Sequence, residues 1–118
     1  DDILWKCNRV MSRCVVDQDR MLENIESQRG LVMAEKVMLA LVDYGMHRDA
    51  AHEALRVASM KAVEDGCDLL DACMLDSEIM DLVSEVELVD LFDPRGHLGV
   101  SGEIVDAAIA RADSVIPR

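Results

Sequence analysis

Apolar residues recur along the chain at intervals of three and four, which is the spacing of one face of an α-helix. The two clearest stripes lie at residues 31–44 and 48–65. Gly45 and Gly66 follow their ends, where a glycine can adopt the left-handed conformation that terminates a helix. No stretch shows the sustained apolar–polar alternation of a half-buried strand. The pattern therefore predicts an all-α fold.

The inward faces of these two helices can be read from their spacing. In the first helix, Glu35, Lys36 and Asp43 are expected to point away from the core. In the second helix, the small residues of the stripe imply a close helix–helix approach. The predicted core positions are Leu31, Ala34, Val37, Met38, Leu41 and Val42, followed by Ala51, Ala54, Leu55, Ala58, Ala62 and Val63.

Shorter helical segments surround these two. Their predicted starts carry side chains that can accept from free backbone N–H groups, including a capping box in which Ser84 and Glu87 satisfy each other. The predicted helical segments are 19–28, 68–74, 78–83, one after Ser84, and 102–113, with a turn from Asp93 to Gly99. Their caps are Asp17 or Asp19 for the first, Asp76 or Ser77 for 78–83, and Ser101 for the last. The residues expected to face inward are Met21, Leu22 and Ile25 in 19–28, and Ile104, Val105, Ala108 and Ile109 in 102–113.

Residues 3–16 form a further predicted amphipathic helix with an excess of apolar surface. Trp5, Val15 and Val16 lie outside its main stripe, so more of its circumference is apolar than a helix on a small monomer would show. We expect residues 1–16 to be the tail of a bundle helix and residues 17–118 to be a compact multi-helix domain. The chain starts without a methionine, as an excised fragment would. Exposed apolar surface on residues 3–16 predicts self-association through them.

Composition narrows the function classes. The chain has 118 residues, 51% of them hydrophobic and 3% aromatic, so one domain with an aliphatic core is expected. Its formal net charge of −12 argues against nucleic-acid or anionic-membrane partners, which require clustered Lys and Arg. No secretory leader or stretch long enough to span a bilayer is recognisable.

The four cysteines, Cys7, Cys14, Cys67 and Cys73, lack CxxC or zinc-finger spacing. They are expected to be buried, reduced thiols, which fits a cytoplasmic chain.

Candidate chemistry is sparse. His47 and His52 are five residues apart, which does not place two imidazoles on one helical face for a metal. His97 lies in a loop with no supporting neighbour, and Glu64 and Asp65 are expected to be solvated. Arg29, next to Gly30, either contacts an anion as a weak substrate-binding candidate or caps carbonyl groups at the bend. We predict no catalytic residue, no metal site and no cofactor.

Residues 19–53 resemble the start of the C-terminal domain of adenylosuccinate lyases, which belong to the fumarase/aspartase superfamily. The sequence pattern of that domain in adenylosuccinate lyases is close to RxNLxxTxGLIxAERVMLALVxxGMxREEAHE. Downstream, Leu91-Phe92-Asp93-Pro94 and His97-Leu98-Gly99 resemble LFDPxxYLG, and Glu103-Ile104-Val105-Asp106 is similar to PEIVDR. The positions matching the longer pattern are Asn24, Gly30, Leu31, Ala34, Glu35, Val37, Met38, Leu39, Ala40, Leu41, Val42, Gly45, Met46 and, with one acidic swap and one Ala, 48–53.

The resemblance implies a parent C–N lyase that eliminates fumarate from adenylosuccinate and from its carboxamide precursor in purine biosynthesis. It implies a homotetramer whose active sites are shared among three subunits. The family's catalytic Ser loop (SSxMPxKxNP) and nucleotide-contacting segment (ERxxxxSxxxR) do not occur here and would precede Asp1, as would the catalytic His. The chain alone is therefore expected to be structural and inactive.

Two departures and two alternatives accompany this interpretation. His47 stands where the family often has Ser, so the helix cap there is weaker or supplied otherwise, and His97 stands where an aromatic residue is usual. The alternatives are a 3-carboxymuconate cycloisomerase of the same superfamily and a free-standing helical interaction module.

Overall fold

A computed structural model describes residues 1–116, and the predicted domain 17–118 therefore ends in two residues outside the described part. The described chain contains helices and turns and no strand, so the all-α prediction is confirmed. The helices are α1 (Asp2–Met11), α2 (Gln18–Glu26), α3 (Ala34–Asp43), α4 (Arg48–Asp65), α5 (Leu69–Met74), α6 (Ser77–Met80), α7 (Glu85–Leu91) and α8 (Ser101–Val115), with 3₁₀ turns at Leu31–Met33 and Pro94–His97.

Side-chain caps account for where half of these α-helices begin, namely α2, α4, α6 and α7. Asp17 accepts from the Arg20 backbone N–H at the start of α2, and Asp76 accepts from Glu78 and Ile79 at the start of α6. Before α7, the Glu87 N–H donates to Ser84 Oγ at 3.3 Å, and the Ser84 N–H donates to Glu87 Oε2 at 3.1 Å. These caps satisfy donors that a helix start leaves free. The predicted capping box is thereby confirmed.

Gly45 ends α3 in the predicted left-handed conformation. Its φ is +106°, its N–H donates to Val42 O at 3.0 Å, and the Met46 N–H donates to Leu41 O at 2.9 Å. These two hydrogen bonds form a Schellman motif, which satisfies the last carbonyl groups of the helix.

The core lies where α3 and α4 pack together and α5, α6 and α7 close over them. Leu41, Leu69, Ile79 and Leu88 are fully buried there. The small residues of α4 do face the core, since Ala51, Ala58 and Ala62 are buried. Close packing of α4 against its neighbours follows from these small side chains.

Several predicted details are wrong. The helix predicted at 31–44 begins as a 3₁₀ turn, whose Met33 is buried although the stripe omitted it. Val63 is 67% exposed, because it lies on the side of α4 that turns away from α3 and α5. Lys36 is half-buried, since its ammonium group donates to the Asp93 carbonyl at 3.4 Å.

The outer helices differ most from prediction. Helix α1 ends at Met11 rather than at residue 16, since the pair Val15–Val16 has low helix propensity and Asp17 is extended. No residue of α1, α2 or α8 is buried within the described chain. Ser101 is not the N-cap of α8, because Val100 precedes the helix and Ser101 Oγ donates backwards to Leu98 O. The residues expected to face inward, Met21, Leu22, Ile25, Ile104, Val105, Ala108 and Ile109, are all exposed.

Two of the four cysteines also depart from prediction. Cys73 is buried and Cys67 is half-buried, but Cys7 on α1 and Cys14 after it are exposed, and no residue of α1 is buried. None of the helices described over residues 1–116 has both the length and the apolar content needed to cross a membrane.

Candidate functional site

Arg29 forms a bridge between two distant parts of the chain. Its φ is +49°, a left-handed conformation that costs a non-glycine residue free energy. Its guanidinium group donates to the Gly66 carbonyl at the end of α4, and its own carbonyl accepts from the Leu69 N–H at 2.9 Å. Of the two roles considered for Arg29, the structure shows the carbonyl-capping role. Contact with an anion stays a prediction.

Gly30 completes this junction. Its φ of +78° starts the 3₁₀ turn, and a Cβ placed on it would lie 3.0 Å from Cε1 of Phe92. The bend after α2 is therefore held by two hydrogen bonds to the α4–α5 turn and by close contact with the end of α7. The elements that carry the family-like motifs, around Gly30 and around Asp93, meet here.

A shallow groove of about 390 Å³ opens beside this junction, and we call it the α2 groove. Leu22 and Ile25 of α2 form one wall, Val32 lies on the 3₁₀ turn, and Phe92 and Pro94 form the other wall. Its polar lining consists of Glu26, Asp93 and Arg95. The carboxylate of Asp93 accepts from the Arg95 N–H at 2.9 Å and so caps the turn that shapes this wall.

A second groove, of about 360 Å³, lies between α3 and α4. His52, Arg56 and Ser59 come from one face of α4, and Glu35 comes from α3. The grouping of these residues was not predicted from the sequence. Their spacing of four and three along α4 was the available signal, but the approach of Glu35 required the packing of α3 on α4.

An ion pair sits at the rim of this second groove. Arg56 donates to both carboxylate oxygens of Glu53, at 2.7 and 2.8 Å, and this hydrogen bonding lowers the pKa of Glu53 and raises that of Arg56. Both side chains are substantially exposed. The pair holds the guanidinium group of Arg56 against α4. Because both groups are exposed, the pair orients Arg56 but adds little to the free energy of unfolding.

The three histidines are not brought together. His47 caps α4, because its Nδ1 accepts from the Asp49 N–H at 3.4 Å, so the imidazole itself replaces the serine usual in the family pattern. His52 lines the α3–α4 groove, and His97 is exposed at the end of a 3₁₀ turn. Over residues 1–116, no group of three or more His, Cys, Asp or Glu side chains is arranged to hold a metal ion.

Carboxylates dominate the surface next to these grooves. Residues 62–94 contain eleven Asp and Glu and no Lys, Arg or His, and they form the end of α4 together with α5, α6 and α7. Glu64 and Asp65 are exposed at the end of α4. In this part of the described chain, most polar groups that make hydrogen bonds do so to cap helices.

Cys73 has the most strongly altered thiol. Burial, with a smaller contribution from Asp76, raises the pKa of Cys73 to about 12. A thiol with that pKa stays protonated at neutral pH and is therefore a poor nucleophile. Cys73 accordingly acts as a small apolar core residue.

Comparison with known proteins places this architecture in a family. A family profile described as "Adenylosuccinate lyase C-terminus" matches residues 30–108. The adenylosuccinate lyase of Archaeoglobus fulgidus is 34% identical over 116 residues, covering 98% of this chain and 26% of that protein. That of Methanocaldococcus jannaschii is 34% identical over 109 residues, covering 92% and 24%. That of Staphylococcus saprophyticus is 32% identical over 95 residues, covering 80% and 22%.

Proposed function

Because this chain belongs to the adenylosuccinate lyase family and corresponds to its C-terminal part, we propose that it is the C-terminal domain of a C–N lyase that eliminates fumarate from adenylosuccinate. The same reaction on the succinyl-carboxamide precursor belongs to the proposal, and both would place the enzyme in purine biosynthesis. The observation that carries the proposal is the match over residues 30–108, joined to relatives that align with nearly the whole chain.

The proposal concerns a parent protein larger than this chain. The chain spans about a quarter of the length of the curated relatives it matches. The motifs that the resemblance assigns to catalysis do not occur among its residues. We therefore expect no fumarate release from the 118-residue chain alone, with the chemistry supplied by other segments of the parent.

The chain's own contribution would be structural support beside the active site. Its core of α3–α7 is buried without help from α1, α2 or α8. Arg29 and Gly30 fix the direction in which the chain enters that core, through the Gly66 carbonyl and the Phe92 ring. A rigid domain with a fixed entry angle can hold neighbouring segments in position.

Assembly and location are also part of the proposal. The parent would be a homotetramer, and residues 3–16 would be covered in it, which is consistent with the exposure of Ile3, Leu4 and Trp5 in the isolated chain. We place the enzyme in the cytoplasm, because Cys7 and Cys14 are free, exposed thiols that suit a reducing compartment.

Fumarate release from adenylosuccinate tests the proposal directly. The complete gene product is expected to release fumarate, and the 118-residue chain at the same concentration is expected to release none. Activity of the short chain without added subunits would contradict its structural role. A complete product that converts 3-carboxymuconate and leaves adenylosuccinate unchanged would establish the cycloisomerase alternative instead.

The free-standing interaction module is distinguished by the length of the native reading frame. A gene product that begins near Asp1 would favour the module, whose exposed helices α1 and α8 would then serve binding. A reading frame that adds several hundred upstream residues, as in the relatives, would favour the lyase.

A further inference from the structure

The start of α4 depends on a nitrogen atom that can be protonated. His47 precedes the helix with an extended backbone, and its Nδ1 accepts from the Asp49 N–H at 3.4 Å. The other side-chain caps of the described α-helices, at Asp17, Asp76 and Ser84, use oxygen acceptors. An imidazole nitrogen accepts a hydrogen bond only while it carries no proton. Among these four caps, the one at α4 is therefore the cap that changes near neutral pH.

The hydrogen bond at Nδ1 also fixes the tautomer of the neutral ring. Neutral imidazole carries one proton, which must be on Nε2 when Nδ1 accepts. The side chain of His47 is 79% exposed, so water can accept from the Nε2–H. The Nε2–H form of neutral His47 is thus the form that caps α4.

The charged groups around the ring determine the effect of protonation. Oδ2 of Asp49 lies 3.9 Å from Nδ1, which is close enough for an ion pair once the ring is charged. Asp43, at the end of α3, and Arg48 are also near His47 in sequence. Over residues 1–116, neither of them makes a hydrogen bond or an ion pair with the ring. Because the His47 and Asp49 side chains are both largely exposed, water weakens their attraction.

We propose that His47 is a pH-sensitive cap, which accepts from the Asp49 N–H when neutral and pairs with the Asp49 carboxylate when protonated. Protonation weakens the start of α4, because the first turn loses an acceptor and a positive charge is placed at the positive end of the helix dipole. The exposed ion pair offsets only part of this loss. This inference concerns the fold itself and is independent of the proposed reaction.

The sign of the pH dependence follows from which form of the ring caps the helix. Neutral His47 stabilises α4, so its contribution is present at alkaline pH. It is lost as pH falls through about 6.5, where imidazole takes up a proton. Because α4 packs against α3 and α5 in the core, mild acid would loosen one end of a core helix.

Nuclear magnetic resonance of the ¹⁵N-labelled 118-residue chain tests the tautomer without any substitution in the measured protein. Imidazole ¹H–¹⁵N spectra at about pH 8 should show His47 with its proton on Nε2. The signals of His47 are identified by their absence from spectra of His47→Ser. The Asp49 amide should titrate together with the His47 ring, and this titration should disappear in His47→Ser.

Urea titrations test the effect on stability. His47→Ser places an oxygen acceptor at the cap at every pH. The unfolding equilibrium constant of the unaltered chain, divided by that of His47→Ser, should rise about two- to fivefold from pH 8 to pH 5. His97→Ser is the matched control, because His97 is exposed and caps no helix, and its ratio should stay constant. An Asp49→Asn background should enlarge the rise, because it removes the compensating carboxylate.

Each measurement has an outcome that contradicts the inference. His47 with its proton on Nδ1 at about pH 8 overturns it, even if every variant fails to fold. A ratio that is the same at both pH values, or that changes as much for His97→Ser, also overturns it. A smaller rise in the Asp49→Asn background would exclude the exchange of partners. Failure of the complete gene product to release fumarate contradicts the proposed function alone, since none of these measurements uses the reaction.

Discussion

Substitution of Gly30 offers a sharp test of the junction between the chain entry and the core. Gly30→Ala introduces a Cβ at a residue whose φ is +78°, 3.0 Å from Cε1 and 3.1 Å from Cδ1 of Phe92. The left-handed conformation costs an alanine about 1–2 kcal/mol. Displacing a packed ring adds about 1–3 kcal/mol. The reduced entropy of the unfolded chain lowers this cost by about 0.4–1 kcal/mol, so we expect a net loss of about 1–5 kcal/mol.

Gly45→Ala is the matched control. Gly45 also has a positive φ, +106°, but its added Cβ would meet no atom within 4 Å among the described residues. It should therefore show the conformational cost of about 1–2 kcal/mol, reduced by the same entropy effect of about 0.4–1 kcal/mol, without a steric cost. Urea denaturation followed by circular dichroism gives both free energies of unfolding.

A double-mutant cycle assigns the difference to the aromatic ring. In a Phe92→Leu background, Gly30→Ala should cost no more than Gly45→Ala, because the smaller side chain leaves room for the new methyl group. If Gly30→Ala is no worse than Gly45→Ala in the unaltered chain, or if its cost persists in the Phe92→Leu background, the packing argument is wrong.

Three further predictions address the core, a thiol and a cap. Leu41→Ala, at a fully buried site, should lower the free energy of unfolding by about 2–5 kcal/mol in urea titrations; a loss near zero would remove Leu41 from the core. With Ellman's reagent at neutral pH, Cys7 should react rapidly and Cys73, whose pKa is raised to about 12, only on unfolding; equal rates would contradict that burial. The hydrogen bond from Ser84 lowers the pKa of Glu87, so its ionised form stabilises the fold above its unfolded pKa, and that contribution disappears as pH falls through the folded pKa. Ser84→Ala should therefore lower Tm at neutral pH, and its difference from the unaltered chain should shrink in acid, whereas a constant difference would exclude the coupling.

The features that could be predicted from the sequence are those that depend on neighbouring residues. The bounds of α4, the caps at Asp17, Asp76 and Ser84, and the left-handed end at Gly45 all follow from side chains within a few positions. Hydrogen bonds between residues two to four apart form wherever the backbone permits them. Sequence spacing is therefore sufficient to locate them.

The features that could not be predicted depend on what packs against a helix. Periodicity identified apolar faces on residues 3–16, 19–28 and 102–113, but a periodic stripe does not specify which surface covers it. Likewise, Arg29 reaches the Gly66 carbonyl across 37 positions, and Glu35 joins His52 only because α3 lies on α4. The sequence therefore indicates a bend next to Arg29, but the groups that Arg29 contacts are defined only by the tertiary structure.

The distribution of buried residues and of charged residues distinguishes residues 1–16 from the acidic segment that contains the core of the described chain. Every buried residue of the described chain lies between Met33 and Leu88, inside the segment 30–108 that the family profile matches. That segment also holds the acidic run 62–94, which has eleven carboxylates and no basic side chain. Residues 1–16 lie outside it and combine exposed apolar side chains with a small excess of basic residues. The buried core of the described chain therefore coincides with the segment that the family profile matches, whereas the exposed apolar side chains of residues 1–16 lie outside that segment.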